Sequence, residues 1–144
     1  MPEARVYYTH APNPQALQQM INSVRSVSDL QRVMPFNATL ALVLRGTRDQ
    51  VALAEWMING LDRPAAQSAS VVDYGVPFGM RLESTRIFYL PPAAEQVLVQ
   101  LMSQVRTQTG LQRLTLCIQP GAMVARGSSD QIAEATRLIQ QAKQ

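Results

Sequence analysis

Apolar residues recur along the chain with two different periods. The short runs Val6-Tyr7-Tyr8 and Ile87-Phe88-Tyr89 combine β-branched and aromatic residues, which is typical of strands. Each run is followed by apolar residues spaced three and four apart, namely Leu17, Met20, Ile21 and Val24, and Leu98, Leu101, Met102 and Val105. This spacing predicts that each set lies on one face of a helix.

The whole series repeats at an offset of 81 residues, so that Arg45–Ile58 recurs as Arg126–Ile139. When Val6–Leu61 is aligned without a gap against Ile87–Ala142, 18 of the 56 positions are identical. Ordinary residue usage would give about four identities. The sequence therefore predicts two copies of one structural unit.

After the first strand and helix, the sequence of each copy predicts a β-hairpin and then a second helix. The hairpins are Leu30–Phe36 with Leu40–Leu44, and Leu111–Ile118 with Met123–Ala125, the latter turning through Gln119-Pro120-Gly121. The predicted fold class is α+β: a tandem duplication of a β-α-β-β-α unit. In each unit, we expect two helices to cover one face of a three-stranded sheet.

The helices carry start signals in the sequence. Asn13-Pro14 supplies a capping side chain followed by the residue best tolerated in a first helical turn. Thr47-x-x-Gln50 and Ser128-x-x-Gln131 both fit a capping box before the closing helix of their copy.

These elements divide the chain into residues 1–64 for the first unit, 65–85 for an inter-unit segment and 86–144 for the second unit. Within the inter-unit segment, Val71–Phe78 either adds an edge strand or packs between the units. Pro77 argues against a central strand because it cannot donate a backbone hydrogen bond.

One stretch of the first copy resembles the periplasmic N-domain repeat of bacterial secretins. In it a strand, Leu40–Leu44, runs into Arg45-Gly46, then a capped helix over Asp49–Asn59, then Leu61-Asp62-Arg63-Pro64. The resemblance implies a ring-building module, one of the tandem small domains that pack side by side in the vestibule of an outer-membrane channel. The chain is thereby identified as two tandem copies of this repeat.

The resemblance also implies a function and a location. We expect a non-enzymatic protein–protein interaction module in a bacterial envelope secretion or pilus-type system, with protein partners or self-association, in the periplasm or at the envelope. Met1–Arg5 lacks the layout of a signal peptide, which leaves a cytoplasmic location open.

Composition excludes several other classes. The chain has 144 residues, of which 47% are hydrophobic, as expected for a folded domain, and 16% charged, which is below the usual quarter. No apolar run is long enough to span a bilayer. The single cysteine excludes an intrachain disulfide and a multi-thiolate metal site. The net charge of +3 gives only a weak electrostatic attraction to acidic partners.

The residues that could carry catalysis do not form a recognisable set. His10 is the only histidine and is predicted to be an exposed loop residue, whereas Cys117 is predicted to be a buried, inert thiol. Asp49 and Asp130 fall in first helical turns, where the helix dipole stabilises a carboxylate. We therefore predict no catalytic, metal or cofactor site and no small-molecule substrate.

Repeated arginines form the candidate interaction surface, together with one tryptophan. Its residues are Arg25, Arg32, Arg45, Trp56, Arg106, Arg113 and Arg126. The arginines either lie at solvated rims and pair within a unit or form a positive strip, and Trp56 either packs internally or anchors a partner. The alternative function is a nucleic-acid or phosphate-binding module that uses the repeated arginines.

Overall fold

The structure, a computed structural model, describes residues 3–30, 32–62, 71–118 and 121–142. Two predicted features lie partly outside these ranges: the turn residues Gln119 and Pro120, and the stretch 63–70 around the start of the inter-unit segment. The described part is α+β, with four helices and two antiparallel sheets. No helix within it is both long and apolar enough to cross a membrane.

The first half of the chain forms a three-stranded sheet and two helices. In chain order these are β1 (Glu3–Tyr8), α1 (Pro14–Ser28), β2 (Arg32–Phe36), β3 (Ala41–Gly46) and α2 (Arg48–Asp62). The last strand lies in the centre, giving the order β1-β3-β2, and both pairings are antiparallel. We call this the first sheet.

The second half forms the second sheet and two more helices. Its elements are β4 (Val71–Phe78), β5 (Glu83–Tyr89), α3 (Glu95–Thr109), β6 (Arg113–Cys117), β7 (Ala122–Gly127) and α4 (Ser129–Ala142). From β5 onward they follow the same order as the first half, and β7 is again central among their strands in the order β4-β5-β7-β6.

The second sheet has the predicted three strands and a fourth, because Val71–Phe78 adopts the edge-strand alternative. The additional strand is β4, which pairs with β5 at the edge of the sheet. Pro77 lies in an irregular stretch between Tyr74 and Phe78, where the pairing register shifts. An edge position suits this proline because its missing N–H breaks no central ladder.

The predicted helix starts are confirmed. The Asn13 side chain accepts a hydrogen bond from the Ala16 N–H at 2.8 Å. In the first capping box, Gln50 N–H donates to Thr47 Oγ1 at 3.2 Å while Thr47 N–H donates to Gln50 Oε1 at 3.1 Å. Ser128 and Gln131 make the same two bonds at the same distances. Reciprocal bonds of this kind satisfy backbone donors that a helix start leaves free.

Helices α1 and α2 are packed between the two sheets. Their buried residues share one hydrophobic cluster with Leu42 and Leu44 of the first sheet and with Ile87 and Val124 of the second. A separate cluster holds α3 and α4 against Phe88 and the other face of the second sheet. The layers therefore run first sheet, α1 and α2, second sheet, α3 and α4.

This layering corrects the expectation that helices cover only one face of each sheet. The expectation holds for the first sheet but is wrong for the second, which is covered on both faces. Neighbouring residues show this directly, since Ile87 belongs to one cluster and Phe88 to the other. Adjacent residues of a strand point to opposite faces, so both faces of β5 are buried.

Gly127 supports a testable prediction because helix and loop approach its backbone closely. A Cβ at this position would lie 2.5 Å from Leu111 Cδ2 and 2.6 Å from Gln131 Oε1, and Leu111 is fully buried. We expect Gly127→Ala to lower the free energy of unfolding by about 1–3 kcal/mol, measured by urea denaturation.

The matched control is Gly75→Ala in β4, where an added Cβ would meet nothing within 4 Å. This variant should lose no stability beyond the effect of a surface change. If both variants lose the same free energy of unfolding, the close contacts at Gly127 do not contribute to stability.

Candidate interaction surface

One face of the first sheet is open to solvent. Because side chains alternate along a strand, β1, β3 and β2 bury one set of residues against α1 and α2 and direct the other set outward. The outward set contains four large apolar residues with high exposure: Val6 at 55%, Tyr8 at 74%, Met34 at 61% and Phe36 at 53%.

Strand register joins these residues into a continuous patch, which we call the open face. Val43 of β3 lies between Val6 and Met34, and Ala41 lies between Tyr8 and Phe36. Residues directly opposite each other in an antiparallel pair have adjacent side chains. A contiguous, exposed apolar surface of this kind is characteristic of a binding surface.

The third row of the open face is basic. Arg45 lies between Ala4 and Arg32 in the strand register. Both arginines are exposed, and neither makes an ion pair with another described residue. The open face therefore combines an apolar surface with two adjacent positive charges at one end.

The equivalent pair in the second sheet, Arg113 and Arg126, is in a different environment. We call this pair the arginine clamp because it holds the C-terminal end of α1. Arg113 Nη1 donates to the Ser26 carbonyl at 3.2 Å, and Arg126 Nη1 donates to the Val27 carbonyl. The Asp29 carboxylate, at the C-cap of α1, lies 2.8 Å from Arg113 Nη2 and 3.1 Å from Arg126 Nη1.

Arg126 is nearly completely buried, at 6% exposure. Its Nε also donates to Glu83 Oε1 at 3.0 Å, and its guanidinium lies 4.8 Å from the centre of the Phe78 ring. A buried guanidinium needs several partners of this kind to offset the loss of hydration. Arg113 and Arg126 therefore join the two halves of the protein and are occupied internally.

The other predicted surface residues also have internal partners. Arg25 Nη2 donates to the Val33 carbonyl at 3.1 Å, and Arg106 Nη2 makes the same bond to Leu114 at 2.9 Å. The Trp56 ring lies 5.2 Å from that of Tyr74 in β4, centre to centre. The structure thus brings together the pair Arg32 and Arg45 and, separately, the pair Arg113 and Arg126, but not all seven predicted residues.

Sequence reasoning missed the apolar part of the surface. Val6, Tyr8, Met34 and Phe36 were interpreted only as strand residues. The available signal was the run Val6-Tyr7-Tyr8, since three consecutive apolar residues in a strand place apolar side chains on both faces. Period-two alternation alone could not show which apolar face would be left uncovered.

The residues considered for catalysis lie at helix ends and in a loop, and they do not converge on one site. His10 Nδ1 lies 2.9 Å from Asp62 Oδ2, and the histidine side chain is 75% exposed. Asp49 and Asp130 lie in the first turns of α2 and α4. Within the described ranges, no three His, Cys, Asp or Glu side chains are grouped so as to hold a metal ion.

A polar cavity of about 410 Å³ lies beside the arginine clamp. Its lining includes Asp29, Glu83, Arg113 and Arg126, together with Arg81 of the β4–β5 turn. The first four of these groups are already paired with one another. The cavity therefore presents few charges that are available to a substrate.

The chain is similar, at low sequence identity, to several solved structures. The N-terminal domain of the secretin XcpQ from Pseudomonas aeruginosa matches with a TM-score of 0.39 and 12% identity, over 99% of this chain and 62% of that one. Aeromonas hydrophila ExeD matches with a TM-score of 0.36 and 14% identity, over 99% of this chain and 28% of that one.

A cryo-EM structure of the T2SS secretin XcpQ from Pseudomonas aeruginosa matches with a TM-score of 0.35 and 16% identity, over 99% of this chain and 32% of that one. This chain therefore spans less than two thirds of each of these chains. No protein-family model matches the sequence, and neither does any curated protein.

Cys117 supports a prediction about reactivity. The residue is 1% exposed, and burial raises the pKa of its thiol to about 12. Because the thiolate is the reactive form, we expect no reaction with Ellman's reagent at pH 8 in the folded protein and full reaction in denaturant. Rapid labelling without denaturant would show that the packing between α1 and the second sheet opens readily.

The arginine clamp supports a prediction about stability. Asp29 has a positive φ of 62°, which asparagine tolerates, so Asp29→Asn removes the charge without straining the backbone. Loss of the carboxylate leaves the buried Arg126 with weaker compensation. We expect the free energy of unfolding to fall by about 1–3 kcal/mol in urea denaturation.

The control for this prediction is Glu134→Gln, which breaks the ion pair between Glu134 and Arg137 on the surface of α4. Exposed pairs of this kind contribute little, so its midpoint should be unchanged. If Asp29→Asn is as stable as this control, the arginine clamp does not hold the two halves together.

Proposed function

We propose that the chain is a non-enzymatic protein–protein interaction module of the secretin N-domain kind. In this proposal it works in the assembly of a bacterial envelope system, of the secretion or pilus type, in the periplasm or at the envelope. It consists of two copies of one β-α-β-β-α unit, residues 1–64 and 86–144, joined by the segment 65–85 that contributes β4.

The observation that carries the proposal is the open face. Val6, Tyr8, Met34 and Phe36 form one contiguous apolar surface on rigid, paired strands. A single exposed apolar residue is ordinary in a soluble protein. Four on the two outer strands, with Val43 and Ala41 of the central strand between them, expose a surface that binding would remove from water. Burial of such a surface contributes roughly 25 cal/mol per Å² before the costs of association.

The arginine distribution favours this function over the nucleic-acid alternative. Of the repeated arginines, Arg113 and Arg126 are bound to Asp29, and Arg25 and Arg106 donate to backbone carbonyls. A nucleic-acid interface would need several arginines free to contact successive phosphates. Arg32 and Arg45 alone are too few for such a strip.

We expect the open face to contact protein in the cell. A photo-crosslinking amino acid placed at Met34 should yield a protein adduct in the native host. Mass spectrometry should identify the adduct as a component of an envelope secretion or pilus-type system. The matched position is Gln18 on the exposed surface of α1, which should give no specific adduct.

Two outcomes would overturn the proposal. One is an adduct with nucleic acid at Met34, which would favour the alternative function. The other is equal, unspecific labelling at Met34 and Gln18, which would show that the open face has no dedicated protein partner.

A further inference from the structure

The two sheets carry corresponding three-by-three sets of side chains on one face, with the same residue at five of the nine positions. In the first sheet the rows are Ala4–Arg45–Arg32, Val6–Val43–Met34 and Tyr8–Ala41–Phe36. In the second sheet they are Thr85–Arg126–Arg113, Ile87–Val124–Thr115 and Tyr89–Ala122–Cys117. Every position in one set differs from its counterpart by 81 residues, and the strand register is identical.

The two faces differ in what covers them and in four residues: Ala4, Val6, Met34 and Phe36 of the first correspond to Thr85, Ile87, Thr115 and Cys117 of the second. In the second sheet, Ile87, Val124 and Cys117 are completely or almost completely buried beneath α1 and α2. Their counterparts Val6 and Phe36 are more than half exposed. The second sheet therefore shows, within this protein, that helices can cover the face that corresponds to the open face.

The filling helix is α1, and its C-terminal end lies over the arginine pair. Arg113 and Arg126 donate to the carbonyls of Ser26 and Val27 and hold the Asp29 carboxylate. The last carbonyls of a helix lack intrahelical partners and carry partial negative charge, so cations stabilise that end. The acidic C-cap residue adds a full charge between the two guanidinium groups.

We propose that the open face of the first sheet binds an α-helix of a different protein, in the way that the second sheet binds α1. The bound helix has small and apolar residues on the docking side. It ends above Arg32 and Arg45 in an acidic C-cap residue. This inference rests on the proposed function as an interaction module and specifies the chemistry of the partner.

Charge supports an acidic helix end. Arg32 and Arg45 are neighbours across the strand pair, and like charges in directly opposite positions are unfavourable. In the second sheet, the same juxtaposition is relieved because Asp29 bridges both arginines. A carboxylate at the end of a partner helix would relieve it in the first sheet.

A second copy of this chain does not meet the requirement. The helix that corresponds to α1 is α3, and its C-cap is Gly110 where α1 has Asp29. On its outer side, Gln104 and Gln108 are exposed at the positions of the buried Ser23 and Val27. A head-to-tail copy would thus bring Val97, two glutamines and no C-cap carboxylate to the open face.

The second helix of each copy also differs: α4 is less suited than α2 to packing on a sheet. In α2, Gly60 lies against the second sheet: its carbonyl accepts a hydrogen bond from Tyr89 Oη at 2.6 Å, and a Cβ there would lie 2.7 Å from Ile87 Cδ1. The corresponding residue of α4 is Gln141. Its longer side chain would keep α4 from approaching a sheet as closely as α2 does.

The test grafts the docking side of α1 onto α3 in the full chain, using the three substitutions Gln104→Ser, Gln108→Val and Gly110→Asp. The positive φ of Gly110, 73°, resembles that of Asp29, so aspartate fits there. The grafted helix of one molecule should then bind the open face of the next. We expect the weight-average mass in sedimentation equilibrium at about 100 µM to be at least about twice that of the wild type.

A matched pair of arginine variants shows whether the contact uses the predicted residues. Added to the graft, Arg32→Gln with Arg45→Gln should weaken association at least about tenfold. Arg48→Gln, which removes an exposed arginine that pairs with Glu3 instead, should leave association unchanged. If both changes weaken association equally, the contact is not directed by the open face and the inference fails.

A second variant covers failure of the triple variant to fold. It carries only Gln108→Val and Gly110→Asp and should associate more weakly but with the same dependence on Arg32 and Arg45. If a folded graft, checked by circular dichroism, has the wild-type mass, the inference is overturned while the proposed function stands.

The crosslinking experiment at Met34 also distinguishes the proposed function from the inference that the partner is a helix. A partner peptide from the end of a helix with an acidic C-cap supports both proposals. An envelope protein that contacts Met34 through a strand or a loop supports the function and overturns the inference. Adducts with nucleic acid overturn both.

Discussion

The structure depends on two helices that are buried on both sides. Most small α+β units turn one side of each helix to water, whereas α1 and α2 lie between two sheets and share one core with both. The clamp of Arg113 and Arg126 on the end of α1 fixes the angle and depth of this packing with charged hydrogen bonds. The two halves therefore share one hydrophobic core, although each is a separate, continuous segment of the sequence.

Much of the secondary structure could be predicted because its determinants are local. Helical spacing at Leu17 and Leu98 and the capping boxes at Thr47 and Ser128 act within a few residues. The structure has helices at all four places, and three of them, α1, α2 and α4, start with a side-chain cap. The edge strand β4 pairs locally with β5 and was one of two alternatives open from the sequence, whereas the two-sided burial of the second sheet depends on contacts between distant parts of the chain. Periodicity reports which residues are apolar, but not which element will cover them.

The candidate surface shows the same limit. Repetition singled out Arg32, Arg45, Arg113 and Arg126 as a set, and these positions are equivalent in strand register. Identical residues nevertheless have different roles, because Asp29 occupies one pair and no described residue occupies the other. The arginine pairs differ in whether a carboxylate from another element lies beside them. Comparing the sequences of the two copies does not reveal such a contact.

The exposed Gln104 and Gln108 on α3 give the stack of layers two unlike ends. One end is an apolar sheet with a basic edge, and the other is a helix surface on which Gln104 and Gln108 are exposed together with Val97 and Val99. In repeat proteins, a terminal unit with a polar outer side halts further stacking and keeps the array soluble. Binding of a helix at the open face, as proposed above, adds a layer at the first sheet, so an assembly built through this contact has a direction.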